Sequence, residues 1–580
     1  MLFRSDTSSA RTQTDSIDAL IRKGRSFVGS AGLTDLINAM LGWAKADTLL
    51  ADGNVQAGER ALKAAHAHAL ADTKLAASRS KTVERSPAED VTWQLLDLIQ
   101  MQLIRLHLRQ GRLQEAELLG RQMIVRNADR YGRNSPSTAL ALATLGEVLV
   151  AQGRYQESTA LADAAVDDMK ALGVPASAGF SFYYRQVAIV SRIGILDWRG
   201  AVDRIDQLRE SLTEDEFLLK STERQPAWAL ALLRMGRARQ AAAWLTALVA
   251  EQERFLGADR YETAESKGLL GVALAATGDT DRAFSYFAAA LPALTARRRG
   301  TETEAEDALR RHVRRAIFEA YADLIYQTRT FQSAAMVEDS FRLGDAMLGG
   351  AVQSALAASA ARALAGTPKL SDLIRGEQDA RLEIAGLNDR LLALATAADS
   401  KEREEAVKVL RARVDALTGK RAELFRSIEE GFPDYANLIS PRPAALDEAR
   451  KSLASDEALL LIVPGASQTF VWAVRPAGAM AFHASSMSAQ EVASVVAKLR
   501  QTLDPGSVTL PVLRQFDYAA AHRLYLELLA PVEQVWRDAK TLVVAADGVL
   551  GQLPLSLTLT QSFTVGTDAD QGVQRSEEHT

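Results

Sequence analysis

Cysteine is absent from all 580 residues, which excludes disulfides, thiolate zinc sites and any cysteine nucleophile within the chain. Basic charge is not in excess. The 68 Lys and Arg against 73 Asp and Glu give a formal net charge of -5, so the electrostatic footprint of a nucleic-acid binder is missing. No run of about 18 apolar residues occurs, and no transmembrane helix is expected. Met1 to Leu20 lacks the apolar core of a secretion signal. Also missing are the phosphate loop GxxxxGK[ST], a glycine-rich dinucleotide turn after a strand, HExxH and GxSxG.

Alanine is abundant, and with Leu, Arg, Glu and Gln it favours helix because these side chains lose little rotamer freedom there. A chain of this length exceeds what one core usually serves, so either several domains or a long repeat array plus a domain is expected.

A repeat is present. Gly111-Arg-Leu-Gln-Glu-Ala and Gly153-Arg-Tyr-Gln-Glu-Ser stand 42 residues apart, as do Gly236-Arg-Ala-Arg-Gln-Ala and Gly278-Asp-Thr-Asp-Arg-Ala. Leu196-Asp-Trp-Arg-Gly-Ala falls between them in the same role. Apolar residues at helical spacing flank each turn, for example Leu142, Leu145 and Leu149 before Gly153 and Leu161, Ala165, Val166 and Met169 after it. One such antiparallel pair cannot bury its own apolar face, so neighbours must stack. The pattern over residues 30–350 resembles tetratricopeptide repeats of the longer, kinesin-light-chain-like kind, carried by Leu145-Gly146, Tyr155, Ala160 to Ala165 and Leu270-Gly271. Degenerate copies are read at Gly53 to Ala57 and at Thr330 to Ala334. The resemblance implies a groove that holds a protein or peptide partner.

Ser354 to Ala365 is almost all Ala, Leu and Ser and ends at Gly366-Thr-Pro. Over 355–430, Leu373, Ala380, Ile384, Leu387, Leu391 and Leu394, then Val407, Leu410, Val414, Leu417 and Leu424, keep a three-four spacing broken at Ala397 to Ser400. Two long helices with a polar tip are predicted, an antiparallel coiled-coil hairpin.

From residue 440 the period becomes strand-like. Ala458 to Val463, Gln468 to Val474 and Met480 to His483 predict a three-stranded meander. Val492 to Leu503 and Tyr518 to Trp536 read as helices, and Leu542 to Ala546 as a buried strand stopped by Asp547-Gly548. In order, Tyr435-Ala-Asn-Leu, Pro441-Arg-Pro, Ser452-Leu through Leu461, Phe470-Val-Trp and Asp547-Gly-Val-Leu-Gly-Gln-Leu-Pro554 resemble the start of CHAT domains, caspase-like cysteine-peptidase modules often joined to tetratricopeptide repeats. The implied fold is mainly α: a tetratricopeptide-type superhelix, a coiled-coil hairpin, then an incomplete α/β CHAT domain over 440–574.

The family's His and Cys lie downstream of the matched segment, and no residue here corresponds to them. His66 and His68 are two apart on one helix and face different ways. His107, His312 and His522 sit in helical segments, His483 at a strand end and His579 near the C-terminus. Asp456-Glu457 and Glu429-Glu430 read as caps or solvated turns. No catalytic, cofactor-binding or metal residue is assigned, no cofactor is expected, and the 580-residue chain is expected to be inactive.

Leu2 to Ser5, LFRS, and Arg575 to Thr580, RSEEHT, match translations of common sequencing-adapter strings. Residues 2–5 of the 1–29 tail and residues 575–580 are therefore read as adapter-derived, and the chain as an N-terminal fragment of a bacterial-type peptidase whose dyad and protein substrate belong to the complete enzyme. The alternative is a non-catalytic scaffold with a degenerate α/β module. A transcriptional regulator is disfavoured by the acidic balance and the lack of a recognition-helix pattern. Compartment stays open between cytoplasm and periplasm.

Overall fold

The computed structural model describes residues 31–51, 54–79, 87–295, 304–328, 333–348, 367–395, 401–433, 435, 444–478, 480–503, 516–558 and 560–561. Both adapter-like ends, His579, the run from Ser354 to Ala365, Pro441-Arg-Pro and residues 562–574 lie outside them, as does most of the degenerate turn read at Thr330. The chain divides into two compact units, one of residues 1–317 with 357–440 and one of 318–356 with 441–580.

The first unit is a stack of helix pairs: α1 (Ala31–Ala51) with α2 (Val55–Arg79), α3 (Pro87–Arg109) with α4 (Leu113–Tyr131), α5 (Pro136–Ala151) with α6 (Tyr155–Ala171), and α7 (Gly179–Gly194) with α8 (Trp198–Glu210). A short α9 (Glu216–Glu223) is inserted before α10 (Pro226–Arg234) with α11 (Ala238–Phe255), and α12 (Tyr261–Ala276) with α13 (Thr280–Thr295) follows. α14 (Glu304–Gln327) crosses from the first unit into the second.

The turns explain the period. Gly111, Gly153, Gly236 and Gly278 take φ of 72°, 73°, 74° and 86°, a left-handed conformation that glycine adopts without a Cβ clash. At each turn the next N–H reaches back five residues: Arg112 to the His107 carbonyl, Arg154 to Leu149, Arg237 to Leu232 and Asp279 to Leu274, at 2.9 to 3.0 Å. Leu196 completes the set. It holds φ 61°, its neighbour Asp197 donates to the Arg192 carbonyl at 3.0 Å, and the Asp197 carboxylate caps the next helix by accepting from the Gly200 N–H at 2.9 Å. The turn that lacks glycine in sequence is therefore the same turn in space. Small residues bring helices together between the turns: the Ser158 hydroxyl donates to the Gly146 carbonyl at 2.8 Å, and a Cβ on Gly271 would meet the Phe287 ring at 2.8 Å.

α16 (Pro368–Ala395) and α17 (Lys401–Gly431) form the hairpin. Leu387, Leu391, Val414 and Leu417 make one buried seam, and Leu370, Phe425, Ile428 and Tyr435 another near its base. Arg421 pairs with Glu377 and Arg413 with Glu383, both at 2.6 Å. The fold is thus mainly α, and the hairpin is formed as its spacing predicts.

The second unit sets α15 (Ala334–Leu348) and α18 (Leu446–Ser452) with a four-stranded sheet. β1 (Glu457–Pro464), β2 (Thr469–Val474) and β3 (Ala481–Ser485) form the meander, while β4 (Thr541–Ala546) runs parallel to β1, giving the order β3-β2-β1-β4. Trp472 is fully buried, stacked on Phe482 with ring centroids 4.9 Å apart, and its indole N–H donates to Ser340 at 3.4 Å. On the opposite face, α19 (Ala489–Leu503) and α20 (Tyr518–Leu524) bury Val492, Val496, Leu499 and Leu524 against Leu460, Ile462 and Val471.

Two elements depart from the reading. The single helix expected over Tyr518 to Trp536 is broken into α20, a π turn at Tyr525–Leu529, a 3-10 turn at Ala530–Val532 and a last turn at Glu533–Trp536, because Pro531 has no N–H to continue the ladder. The strand expected to be buried, β4, is at the sheet edge among the described residues. Leu542, Val543 and Val544 are 37%, 41% and 41% exposed.

Candidate functional site

Asp547-Gly548 through Pro554 is a packing device. Gly548 turns the chain at φ 65°, a short 3-10 helix spans Gly548–Gln552, and Leu550 and Leu553 enter the core beside Val492, Leu499 and Leu524. The motif's two leucines anchor β4 to the helical layer.

The histidines are scattered. His66 and His107 lie inside the first pairs, where Nε2 of the former and both ring nitrogens of the latter are buried without a hydrogen-bond partner. Burial pushes His66 down to about 4, with the Arg126 charge adding to it, and burial likewise lowers His107. His68 Nδ1 is 2.9 Å from the Asp35 carboxylate, His483 Nδ1 is 3.1 Å from the Tyr326 hydroxyl, and His522 stacks on Tyr525. His312 is lowered by burial and by surrounding arginines. Among the described residues no group of three or more His, Cys, Asp or Glu could hold a metal ion. The acidic pair at Asp456-Glu457 is structural. Glu457 accepts from the Ala454 N–H at 2.8 Å, and the Asp456 carbonyl accepts from Lys540 at 2.8 Å.

The polar chemistry concentrates on the helix stack. In a stack of such pairs the first helices share one face, and there Arg105 of α3, Glu147 of α5 and Tyr183 of α7 form a row across three consecutive pairs. Arg105 lies 5.2 Å over the Tyr183 ring and 3.6 Å from the Glu147 carboxylate, to which the Tyr183 hydroxyl donates. Burial raises Tyr183 well above the usual phenol range, so it remains a donor at neutral pH. Trp43 of α1 donates to Gln102 of α3 at 2.8 Å. Arg105 remains 44% exposed, so the row is available to a polar partner.

A second set recurs with the repeat and holds pairs together. Glu59 accepts from Gln110 at 2.8 Å and Arg112 at 2.6 Å, and Glu117 accepts from Gln152 at 2.8 Å and Arg154 at 3.0 Å. Hydrogen bonds from Lys63, Gln110 and Arg112 to Glu59, and from Gln152, Arg121 and Arg154 to Glu117, hold both down to about 2, against the desolvation that opposes it. Arg237 reaches Asp206 in the same way at 2.6 Å. The arginine after Gly111, Gly153 and Gly236 is therefore an inter-pair tie, which the sequence shows as Gln-Gly-Arg at the first two of these turns, while Asp279 stands in its place after Gly278.

No protein-family model and no curated protein matches the chain. Among solved structures, the chain is similar to the nearly identical TPR-like repeats of a Podosopora anserina protein described as a putative kinesin light chain. The identity is 19% and the TM-score 0.28, over 33% of this chain and 92% of that one. A variant of the same repeats gives the same identity and TM-score over 34% and 93%. No helix among the described residues is long and apolar enough to cross a membrane.

Proposed function

We propose that the chain is a protein-interaction scaffold whose helix stack receives a polypeptide partner on the face of its first helices. The row Arg105, Glu147 and Tyr183 carries this reading, because it sets a cation, an anion and a phenol at one place across three pairs. A partner presenting a carboxylate to Arg105 and a hydrogen-bond donor to the Glu147 carboxylate fits it. The test is Arg105→Glu and Tyr183→Ala in the full chain, with partners identified by cross-linking. Loss of one partner in both variants at unchanged helicity supports the reading, and equal recovery of every partner sinks it.

We further propose that the second unit is the leading part of a CHAT module. The resemblance from Tyr435 to Pro554 and the meander followed by a parallel strand support it. On this reading the family's His and Cys would come from a continuation of the gene, and the scaffold without them is the alternative. Purified chain is expected to show no peptidase turnover, and measurable turnover would overturn the reading.

A further inference from the structure

We infer that the α16–α17 hairpin is an intramolecular occupant of the helix stack, a self-ligand that a partner helix of the same chemistry can displace. It goes beyond the scaffold reading, and its test reads the hairpin itself, so either can fail alone.

The hairpin touches the stack at two places far apart in sequence. At the first, Leu382, Gly386 and Leu387 of α16 face Leu50, Val55 and Leu106 of the first two pairs across a crevice of about 30 Å³. That is room for a water, so this contact is incompletely packed. At the second, Leu256, which follows α11, is 5% exposed and sits in the hairpin seam with Leu387, Leu391, Val414 and Leu417. Polar groups surround it. Arg260 pairs with Asp415 at 2.6 Å and donates to Thr418 at 3.0 Å, Arg411 donates to the Phe255 carbonyl at 2.9 Å, and Arg403 lies 5.3 Å over the Phe255 ring.

The two kinds of contact differ in strength. Within the hairpin the seam leucines pack on one another, and Glu377 of the Arg421 pair is nearly fully buried, with 5% of its side chain exposed. The grip on the stack is the incompletely packed crevice contact of Leu382, Gly386 and Leu387, the single Leu256, an ion pair whose Asp415 is 70% exposed, the Arg403 contact with the Phe255 ring, and donors aimed at carbonyls near the end of α11. Exposed pairs of that kind are weak and are screened by salt. The hairpin can therefore leave as a formed unit. The occupant that fits the vacated surface is a helix with a leucine seam and a carboxylate where Asp415 stands.

Because the chain has no cysteine, Met40→Cys and Val409→Cys, at side chains 50% and 61% exposed, place spin labels on α1 and α17 alone. Dilution with unlabelled chain restricts the signal to one molecule. A single narrow distance is expected at low salt. Arg260→Glu, or about 0.5 M salt, is expected to raise a longer-distance population roughly threefold to tenfold, and Arg260→Asp with Asp415→Arg to restore the narrow distance. Excess synthetic peptide of residues 401–431 is expected to raise the longer population, and the same peptide with Asp415→Arg to do so less. A distribution unmoved by Arg260→Glu, by salt and by the peptide would overturn the proposal and make the hairpin a fixed part of the stack.

Discussion

Leu196 shows how far one residue can depart from a repeat without breaking it. A non-glycine residue at φ 61° costs about 1–2 kcal/mol from the contact between Cβ and the backbone, yet Leu196 makes the same turn as four glycines. It is 49% exposed, so little burial offsets the strain. Leu196→Gly is therefore expected to stabilise the first unit by about 0.5–1 kcal/mol, the relief exceeding the extra freedom that glycine gives the unfolded chain. Chemical denaturation checks this, and a loss of stability would mean that the side chain does more than tolerate its position. Sequence shows the turn only through its neighbours, Asp197 and Trp198. It could not show that Leu196 accepts the glycine conformation, because that depends on the back-bond to Arg192.

At the scale of the element, periodicity revealed what is local and missed what is not. Helix pairs, hairpin and meander follow from spacing and from stop residues, and the observed strand Glu457–Pro464 contains the expected Ala458 to Val463. The exposure of β4 was hidden, because a run of apolar β-branched residues reads the same at a sheet centre and at an edge. An edge with unpaired N–H and C=O groups invites pairing with another chain. Val543→Lys is expected to reduce self-association, seen by light scattering, while changing stability by no more than about 0.5 kcal/mol. A large fall in stability would show that the exposed face is covered in solution. The hairpin's grip on Leu256 was equally illegible, since one leucine beyond a helix end carries no period.

For the whole molecule, the acid response follows from where its histidines are. His66, His107, His312 and His483 are all lowered, chiefly by burial, and His66 reaches about 4. A group whose folded pKa is depressed contributes stability that is present above its unfolded value and lost as pH falls toward the folded one. For His66 the window runs from 6.5 down to about 4. Glu59 and Glu117 extend the loss below 4.5 toward about 2. Melting temperature is thus expected to fall by several degrees between pH 7 and pH 5, and His66→Gln to flatten part of that slope. A melting temperature independent of pH over this range would contradict the buried neutral state. The candidate interaction row was only half legible. Arg105 and Glu147 share the repeat spacing of 42, but Tyr183 joins them across a shorter interval that only the packing of α7 explains.

The parallel pairing of β1 with β4 also sets a clock on synthesis. Glu457 pairs with Thr541, 84 residues later, and ribosomes add roughly 5–20 residues per second. The central strand therefore leaves the ribosome about 4–17 s before its second neighbour exists. Helix pairs close with their nearest neighbours as they emerge, but β1 must wait with one edge open. Slower elongation across residues 464–540 would lengthen that wait, so the yield of folded protein is expected to depend on codon choice in this segment more than in the repeats.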